Sequence, residues 1–277
     1  MTQEKIPLVA VLGSPVAHSK SPLLHGFWLK QFGIQGHYVP IDVMAADLEQ
    51  VLQTLPKMGF VGANVTLPHK EKILSIADQI SDRAALIGAA NTLVFQPDGK
   101  IYADNTDGYG FIENIRQHAP DWQAKDGPAL VLGAGGAARA IVSALLEAGA
   151  PEVRISNRTR ARADQIKSDF GGRVGVVDWV KAGAEIEYAH TLVNTTSLGM
   201  TGKSALTVSL DKLNPETLVT DIVYSPLETE LLKAARSKGC RVVDGLGMLI
   251  HQAVPGFQRW FGQKPVVDQA IRDILLA

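Results

Sequence analysis

Residues 129–149 read ALVLGAGGAARAIVSALLEAG, an apolar run followed by a glycine-rich turn and an amphipathic stretch. Gly133, Gly135 and Ala138 occupy the fixed positions of the G-x-G-x-x-G/A pattern. The first glycine allows a tight bend, the second lets the backbone approach a pyrophosphate, and the small third residue lets helix pack against strand. The helix that follows presents free N–H groups to a phosphate. A sharp strand–helix turn would also explain the glycines, but the flanking patterns favour a dinucleotide-binding Rossmann domain.

The end of the next predicted strand indicates which dinucleotide binds. Residues 153–162 read VRISNRTRAR, and Asn157 stands where an NAD site usually carries the acid that binds the ribose 2′-hydroxyl. Arg158, Arg160 and Arg162 follow at a helix start, where the helix dipole disfavours cations unless an anion binds there. The 2′-phosphate of NADP is such an anion. A solvated basic turn is the alternative, and three arginines beside a missing acid favour NADP.

The composition excludes several classes of function. A chain of 277 residues that is 46% hydrophobic and 20% charged is typical of a soluble globular protein with one large or two ordinary domains. The net charge of −1 gives no reason to expect nucleic acid or an anionic membrane as partner. Cys240 is the only cysteine, and the histidines lack metal-ligand spacing. With no signal-peptide pattern and no long apolar span, we expect a cytoplasmic protein without a metal.

Short β-branched runs alternate with helical patterns along the chain, which is typical of α/β proteins with parallel sheets. The predicted strands are Pro7–Leu12, His37–Ile41, Gly62–Thr66, Thr92–Phe95, Pro128–Leu132, Glu152–Ser156, Thr191–Asn194, Leu218–Asp221 and Arg241–Asp244. The predicted helices include Pro22–Phe32, Asp47–Met58, Pro68–Ile80, Ala137–Ala148, Thr159–Phe170, Glu228–Lys238 and Leu249–Phe261.

Residues 13–22 read GSPVAHSKSP directly after the first predicted strand. Ser21 is predicted to be a helix N-cap, with Pro22 at the first helical position. Ser19 and Ser21 would also line that helix N-terminus, which favours a carboxylate ligand. The helix-cap role of Ser21 and the carboxylate-binding role of the two serines are compatible.

Two further segments before the glycine loop carry candidate groups. In residues 62–71, GANVTLPHKE, Pro68 is predicted to begin a helix with Lys70 in its first turn, where the dipole disfavours a cation. Such a lysine suits proton transfer, although its position alone favours an ordinary surface lysine. In residues 104–108, DNTDG, Asp107 is a candidate functional residue. Its local sequence is explained at least as well by a turn residue or a helix cap.

The combination of motifs is more specific than any one of them. In order, the chain contains SKSP, NVTLPHK, AANT, DNTDG, GAGGAAR, NRTRAR, NTTSLGM, DIVYSP and DGLGMLIHQA. This series resembles the shikimate dehydrogenase (AroE) family from about residue 6 to 270. The resemblance implies an α/β fold with a substrate-binding domain (1–108 and 246–277) that has a mainly parallel sheet. It also implies a Rossmann-type NADP domain (109–245) and C-terminal helices that return to the first domain.

The resemblance also assigns residue roles. Ser19 and Ser21 would bind the substrate carboxylate, Lys70 would transfer the proton, and Asp107 would be its partner and bind a ring hydroxyl. The implied substrate-binding residues are Ser19, Ser21, Thr66, Lys70, Asn91, Asp107, Tyr224 and Gln252. The implied cofactor-binding residues are Gly133, Ala134, Gly135, Gly136, Ala137, Asn157, Arg158, Thr159, Arg162, Thr195, Ser197, Val223, Gly245 and Met248.

The activity that the resemblance implies is the reversible, NADPH-dependent reduction of 3-dehydroshikimate to shikimate in aromatic amino acid biosynthesis. The enzyme would be a monomer or a homodimer. One alternative is a quinate/shikimate dehydrogenase that uses NAD, and another is a non-catalytic NADP-binding regulatory protein. The presence of both Lys70 and Asp107 argues against the regulatory protein. The SKSP serines and the arginines after Asn157 favour shikimate and NADP.

Overall fold

The chain forms two compact units in the computed structural model, which describes residues 6–277. The first unit contains the described residues up to Thr106 together with Ile250–Ala277, and the second contains Asp107–Leu249. These units divide the chain a few residues away from the domain boundaries predicted above. Residues 1–5, which carry part of the argument against a signal peptide, lie outside the described residues.

The first unit is built on a six-stranded sheet with the strand order β2-β1-β3-β5-β6-β4, numbered along the whole chain. Its strands are β1 (Leu8–Gly13), β2 (His37–Asp42), β3 (Phe60–Val65), β4 (Gln79–Ile80), β5 (Thr92–Phe95) and β6 (Ile101–Asp104). β1 runs parallel to β2 and β3, β4 runs parallel to β6, and only β5 is antiparallel to its neighbours. Its helices are α1 (Ser21–Gln31), α2 (Leu48–Thr54), α3 (Asp82–Ile87), α10 (Ala253–Phe261) and α11 (Gln269–Leu276), with 3₁₀ turns at Leu55–Met58 and Lys72–Ser75.

The C-terminal helices of the first unit pack on this sheet. Trp260 of α10 is buried, and its indole N–H donates to the Leu93 carbonyl of β5 at 2.8 Å. Phe257, one turn earlier, is fully buried and lies edge-on to Trp28 of α1. Apolar contact and one buried hydrogen bond therefore hold the end of the chain against strands from its beginning.

The second unit contains a six-stranded, fully parallel sheet with the order β12-β11-β10-β7-β8-β9. Its strands are β7 (Ala129–Leu132), β8 (Val153–Ser156), β9 (Val174–Val177), β10 (Thr191–Asn194), β11 (Leu218–Asp221) and β12 (Val242–Val243). Its helices are α4 (Asp107–His118), α5 (Gly136–Glu147), α6 (Arg160–Phe170), α7 (Ala182–Glu185), α8 (Glu230–Ser237) and the start of α9 (Leu246–His251), with 3₁₀ turns at Ala124–Asp126, Trp179–Lys181 and Ile186–Tyr188.

The central strand of this second sheet explains its apolar sequence. All four residues of β7 are buried because apolar clusters cover both faces of the sheet. The order of the strands in the sheet reverses direction at β7, with β8 and β9 on one side and β10 to β12 on the other. This is the doubly wound arrangement. The predicted α/β fold class, with one mainly parallel sheet and one Rossmann-type sheet, is confirmed.

The predicted helix Pro68–Ile80 is wrong. This segment contains a single 3₁₀ turn, Lys72–Ser75, and ends in the short strand β4. The Lys70 carbonyl accepts from the Ala90 N–H at 2.9 Å, and the Leu74 N–H donates to the Glu71 carbonyl at 3.2 Å instead of to Lys70. Lys70 consequently precedes the 3₁₀ turn, and the helix-dipole argument for this lysine does not apply.

The predicted N-cap role of Ser21 is also wrong. α1 begins at Ser21, and Lys20, the residue before it, already has helical φ and ψ of −81° and −6°. Instead of capping the helix, the Ser21 side chain forms a hydrogen bond with Tyr38. Ser19 Oγ accepts from the Ser21 N–H at 3.2 Å, so the earlier serine meets the first free donor of the helix.

Candidate active site

Three of the six predicted substrate residues of the first unit belong to one polar network. The Tyr38 hydroxyl donates to Asn64 Oδ1 at 2.7 Å and is also hydrogen-bonded to Ser21. Asn64 Nδ2 in turn donates to the Asn91 carbonyl at 3.0 Å, and Asn91 Nδ2 donates to Gln252 Oε1 at 3.2 Å. Three predicted substrate residues, at positions 21, 91 and 252, are therefore linked through two side chains to which the sequence assigned no role.

Asn91 is the branch point of this network. Its Oδ1 accepts from the backbone N–H of Thr106 at 2.9 Å and from the Thr92 hydroxyl at 2.9 Å. Asn91 is 3% exposed, so an unpaired amide here would cost free energy. These bonds fix the orientation of the Asn91 amide.

The segment that carries Thr66 and Lys70 is held by its backbone. The Thr66 N–H donates to the Leu12 carbonyl at 2.8 Å, which extends the pairing of β3 with β1. His69 is buried and its Nε2 lies 2.7 Å from the Val43 carbonyl. With the Ala90–Lys70 bond described above, these contacts place Lys70, which is half-buried, at the carboxyl end of β3.

A buried ion-pair cluster closes the end of β6. The Asp104 side chain is fully buried and forms ion pairs with Arg83 at 2.5 Å and Arg259 at 2.7 Å. Its Oδ1 also accepts from Ser81 and from the backbone of Asn105. Burial opposes ionisation, but the hydrogen bonds from Arg83 and Ser81 outweigh it and hold the pKa of Asp104 below its usual range.

Asp104→Asn should destabilise the protein by about 2 kcal/mol, because it removes the charge that pairs with two arginines that are themselves partly solvated. Since the folded pKa of Asp104 is lowered, its stabilisation is complete above the unfolded value of about 4 and is lost as the pH falls below it. Urea unfolding of both proteins at pH 7 and pH 3 measures the effect, and the difference should shrink at pH 3. Asp98→Asn, at an exposed ion pair with Lys100, is the control and should change little. An equal difference at both pH values would contradict this account.

Asp107 and the glycine loop belong to the second unit. Asp107 is 7% exposed and is the first residue of α4, so it lies within the helix. The next residue, Gly108, packs against α5, where a Cβ would lie 2.9 Å from the Ala140 carbonyl. A glycine at this position therefore allows α4 to approach the helix that begins at the glycine loop.

The glycine loop has the form that a pyrophosphate requires. Gly133 has a φ of +114°, and a Cβ there would lie 2.5 Å from Thr195 Oγ1. Gly135 is the N-cap of α5, and a Cβ at Gly135 or Gly136 would meet no atom within 4 Å. The backbone N–H groups at the start of α5 are therefore open to an anionic ligand, and the dinucleotide fits the residues present.

The predicted 2′-phosphate clamp lies at the end of β8. Asn157 Nδ2 donates to the Thr159 carbonyl at 2.8 Å and so closes the turn that leads into α6. Arg160 is committed elsewhere, in ion pairs with Asp178 and Asp164. Arg158 and Arg162 are exposed, and their side chains have no ion-pair partner among residues 6–277. Two of the three arginines are thus available to a phosphate.

The other predicted cofactor residues follow β10, β11 and β12. Asp221, buried at the end of β11, accepts from Asn194 Nδ2 and the Val223 N–H, both at 3.0 Å, and from the Thr229 hydroxyl at 2.7 Å. Asn194 Oδ1 accepts from Thr196. Burial raises the pKa of Asp221. This network positions the backbone next to Thr195 and Ser197 and the start of the segment that carries Val223 and Tyr224.

Burial also raises the pKa of Tyr224, and its protonated hydroxyl can donate a hydrogen bond. Among residues 6–277, no group of three His, Cys, Asp or Glu side chains is arranged to hold a metal ion. Within the same residues, no helix has the length and apolar character needed to cross a membrane.

Comparison with known families covers most of the chain. Residues 11–93 match the shikimate dehydrogenase substrate binding domain, residues 115–225 match the shikimate / quinate 5-dehydrogenase family, and residues 245–272 match the shikimate 5′-dehydrogenase C-terminal domain. The chain belongs to the shikimate dehydrogenase family. The membership predicted from the motif series is confirmed, while the roles assigned to single residues stay predictions.

Individual members of the shikimate dehydrogenase family are similar over their full length. Shikimate dehydrogenase (NADP(+)) of Cereibacter sphaeroides is 63% identical over 99% of this chain and 98% of its own. The crystal structure of shikimate 5-dehydrogenase from Thermus thermophilus in complex with NADP(H) and shikimate is 38% identical, with a TM-score of 0.88 over 98% of this chain and 99% of that one. Quinate dehydrogenase from Corynebacterium glutamicum in complex with NAD is 32% identical, with a TM-score of 0.90 over 98% and 99% of the two chains.

Sequence reasoning missed Tyr38 and Asn64 in this family fold. Asn64 opens the NVTLPHK motif, so its position was visible, but its bonds to Tyr38 and Asn91 join residues 26 and 27 positions apart. Tyr38 lies in a predicted strand and had no signal beyond its residue type. The pairing of β1 with both β2 and β3 brings these side chains together.

Proposed function

We propose that the chain is an NADP-dependent shikimate dehydrogenase, an oxidoreductase that interconverts 3-dehydroshikimate and shikimate in aromatic amino acid biosynthesis. The observation that carries the proposal is the full-length similarity to relatives named for this activity. The open glycine loop and the two available arginines support NADP as the cofactor. Bound NADPH would supply the hydride that reduces the C3 ketone.

The residues of this chain would then handle charge and the proton. As the ketone is reduced, negative charge develops on its oxygen. Lys70, as an ammonium, would stabilise this charge and donate a proton to the oxygen, and Asp107 would orient the amine and a ring hydroxyl. Ser19 and Ser21 would bind the carboxylate, while further contacts to the substrate would come from Thr66, Asn91, Tyr224 and Gln252. No step requires a metal.

Spectrophotometric assays with shikimate or quinate and with NADP or NAD test the proposal. We expect the highest kcat/KM with shikimate and NADP. Preference for quinate with NAD, the pair named for the Corynebacterium relative, would replace the proposal with the quinate/shikimate alternative. A protein that binds NADP without turnover of either acid would be the regulatory alternative. The monomeric or homodimeric state, the cytoplasmic location and the lack of a nucleic-acid partner stay predictions, and light scattering would measure the first of these.

Ser19→Ala should raise the KM for shikimate by about 10- to 150-fold, the effect of losing one hydrogen bond to a charged group. Because the carboxylate is bound equally in the ground and transition states, kcat should change little. Steady-state kinetics at saturating NADP measures both constants. Ser75→Ala, at an exposed serine in the same unit, is the matched control. If kcat fell while KM stayed constant, Ser19 would not be a carboxylate ligand.

A further inference from the structure

Asn114 is a buried side chain of α4 that has no part in the proposed mechanism. It is 1% exposed, and its Nδ2 donates to the backbone carbonyl of Asp244 at 2.7 Å. Since a carbonyl can only accept, this bond fixes which end of the amide is the nitrogen. Its Oδ1 is buried and has no hydrogen-bond partner in the described part of the chain. A buried acceptor without a partner costs stability, so the side chain is not explained by its own hydrogen bonding.

The segment Asp244–Met248 is packed against Asn114. Asp244 Oδ1 accepts from the N–H of Leu246, the first residue of α9, at 3.0 Å. A Cβ at Gly247 would collide with Asn114 Oδ1, and the nearest atoms to that point all belong to Asn114. On the other side, a Cβ at Gly245 would collide with the Ile222 carbonyl. Asn114 and Ile222, which directly follows β11, therefore both lie close against this segment.

The strand order shows which part of a dinucleotide this segment meets. Ligands of such sheets bind outside the carboxyl ends of the strands. The glycine loop follows β7 and the arginine clamp follows β8, so a dinucleotide with its pyrophosphate at the first and its adenosine at the second extends its other half toward β10, β11 and β12. Asp244–Met248 follows β12 and lies at the end opposite the clamp.

We propose that Asn114 is a positioning residue for the nicotinamide half of NADP and acts through the segment Asp244–Met248. This inference rests on the proposed NADP-dependent function. Asn114 holds the Asp244 carbonyl and sets how far Gly247 approaches α4, and these two contacts place Gly245 and Met248. Losing them displaces the nicotinamide half and leaves the adenosine half in its clamp.

Asn114→Leu is the first test, because leucine keeps the volume and removes the bond to Asp244. Two ligands are compared by calorimetry: NADP, and adenosine 2′,5′-bisphosphate, which carries the adenosine and 2′-phosphate and lacks the nicotinamide. We expect NADP to bind about 10-fold more weakly, the effect of one buried hydrogen bond, with unchanged affinity for the bisphosphate and a lower kcat. A purely structural role would weaken both ligands together.

Gly247→Ala tests the same contact from the opposite side and does not depend on whether Asn114→Leu folds. The added methyl group collides with Asn114, so this variant should show the same selective loss of NADP affinity. Asn114→Ala removes the three atoms nearest to that methyl group, so combining the two substitutions should weaken NADP binding by much less than the product of the two single losses. Equal weakening of both ligands, no weakening of either, or a double variant whose loss equals the product of the two single losses overturns the positioning role. Wild-type protein that binds no NADP overturns both this inference and the proposed function.

Discussion

Lys70→Ala is expected to lower kcat for shikimate oxidation by about 10²–10⁴-fold, the range that loss of a general acid–base group produces. The physical reason is that the oxygen of the substrate changes charge during hydride transfer, and water replaces an ordered ammonium only poorly. Lys70 is suited to this role because the Ala90–Lys70 backbone bond and the His69 anchor hold its segment at the end of β3. Steady-state kinetics with saturating shikimate and NADP measures the effect.

Lys72→Ala is the matched control, since Lys72 is an exposed lysine two positions away. Its kcat should equal that of the wild type, and circular dichroism should show that both variants are folded. Asp107→Asn should also reduce kcat, and the double variant with Lys70→Ala should lose much less than the product of the two single effects, because the proposed mechanism makes the two residues act together. A folded Lys70→Ala protein with near-normal kcat would remove Lys70 from the mechanism.

The parts of the fold that the sequence predicts well are those that local geometry dictates. The turn at Gly133 requires a positive φ and close approach to Thr195. Because only glycine meets both requirements without strain, its presence in the sequence predicts the turn. The parallel strand β7 is buried on both faces, and its unbroken apolar run follows from that burial. Each of these features can be recognised within a few neighbouring residues.

The features that the sequence did not predict depend on contacts between distant segments. In the segment that was predicted to be a helix from Pro68, the Lys70 carbonyl accepts from Ala90, twenty residues away, and not from Leu74. Ser21 is bound by Tyr38 rather than by its own helix. Asp221 meets Asn194 only because β10 and β11 pair in register. Local propensity is a weak prior where tertiary hydrogen bonds compete for the same groups.

The residues of the candidate site also divide into those that the local sequence predicts and those that it does not. The residue types at the phosphate loop and the clamp could be interpreted from helix-dipole electrostatics, whereas Thr66, Gln252 and Tyr224 entered only through the family resemblance. Gln252 is 161 positions from Asn91, to which it is hydrogen-bonded, and no local pattern marks it as a partner. The structure shows why Arg160 differs from the two arginines beside it: its guanidinium is paired with two aspartates. The sequence does not reveal these ion pairs.

Arg158→Ala and Arg162→Ala should each raise the KM for NADP by about 10- to 150-fold, since each would remove one charge-assisted hydrogen bond to the 2′-phosphate. That phosphate carries about −1.5 to −2 charges at neutral pH. NAD lacks it, so the KM for NAD should be nearly unchanged. Asn157→Asp should move the preference toward NAD, because a carboxylate repels the phosphate and accepts from a ribose hydroxyl.

Arg160→Ala is the internal control for this clamp. Its guanidinium is already paired with Asp178 and Asp164, so it has less capacity to bind a phosphate than the two arginines beside it. Its loss should change the KM for NADP less than either of the other substitutions, and equally for NAD. Titration of wild type and the four variants with both cofactors separates the contributions. Equal use of NAD and NADP by the wild type, or arginine variants that weaken both cofactors alike, would show that the phosphate is held elsewhere.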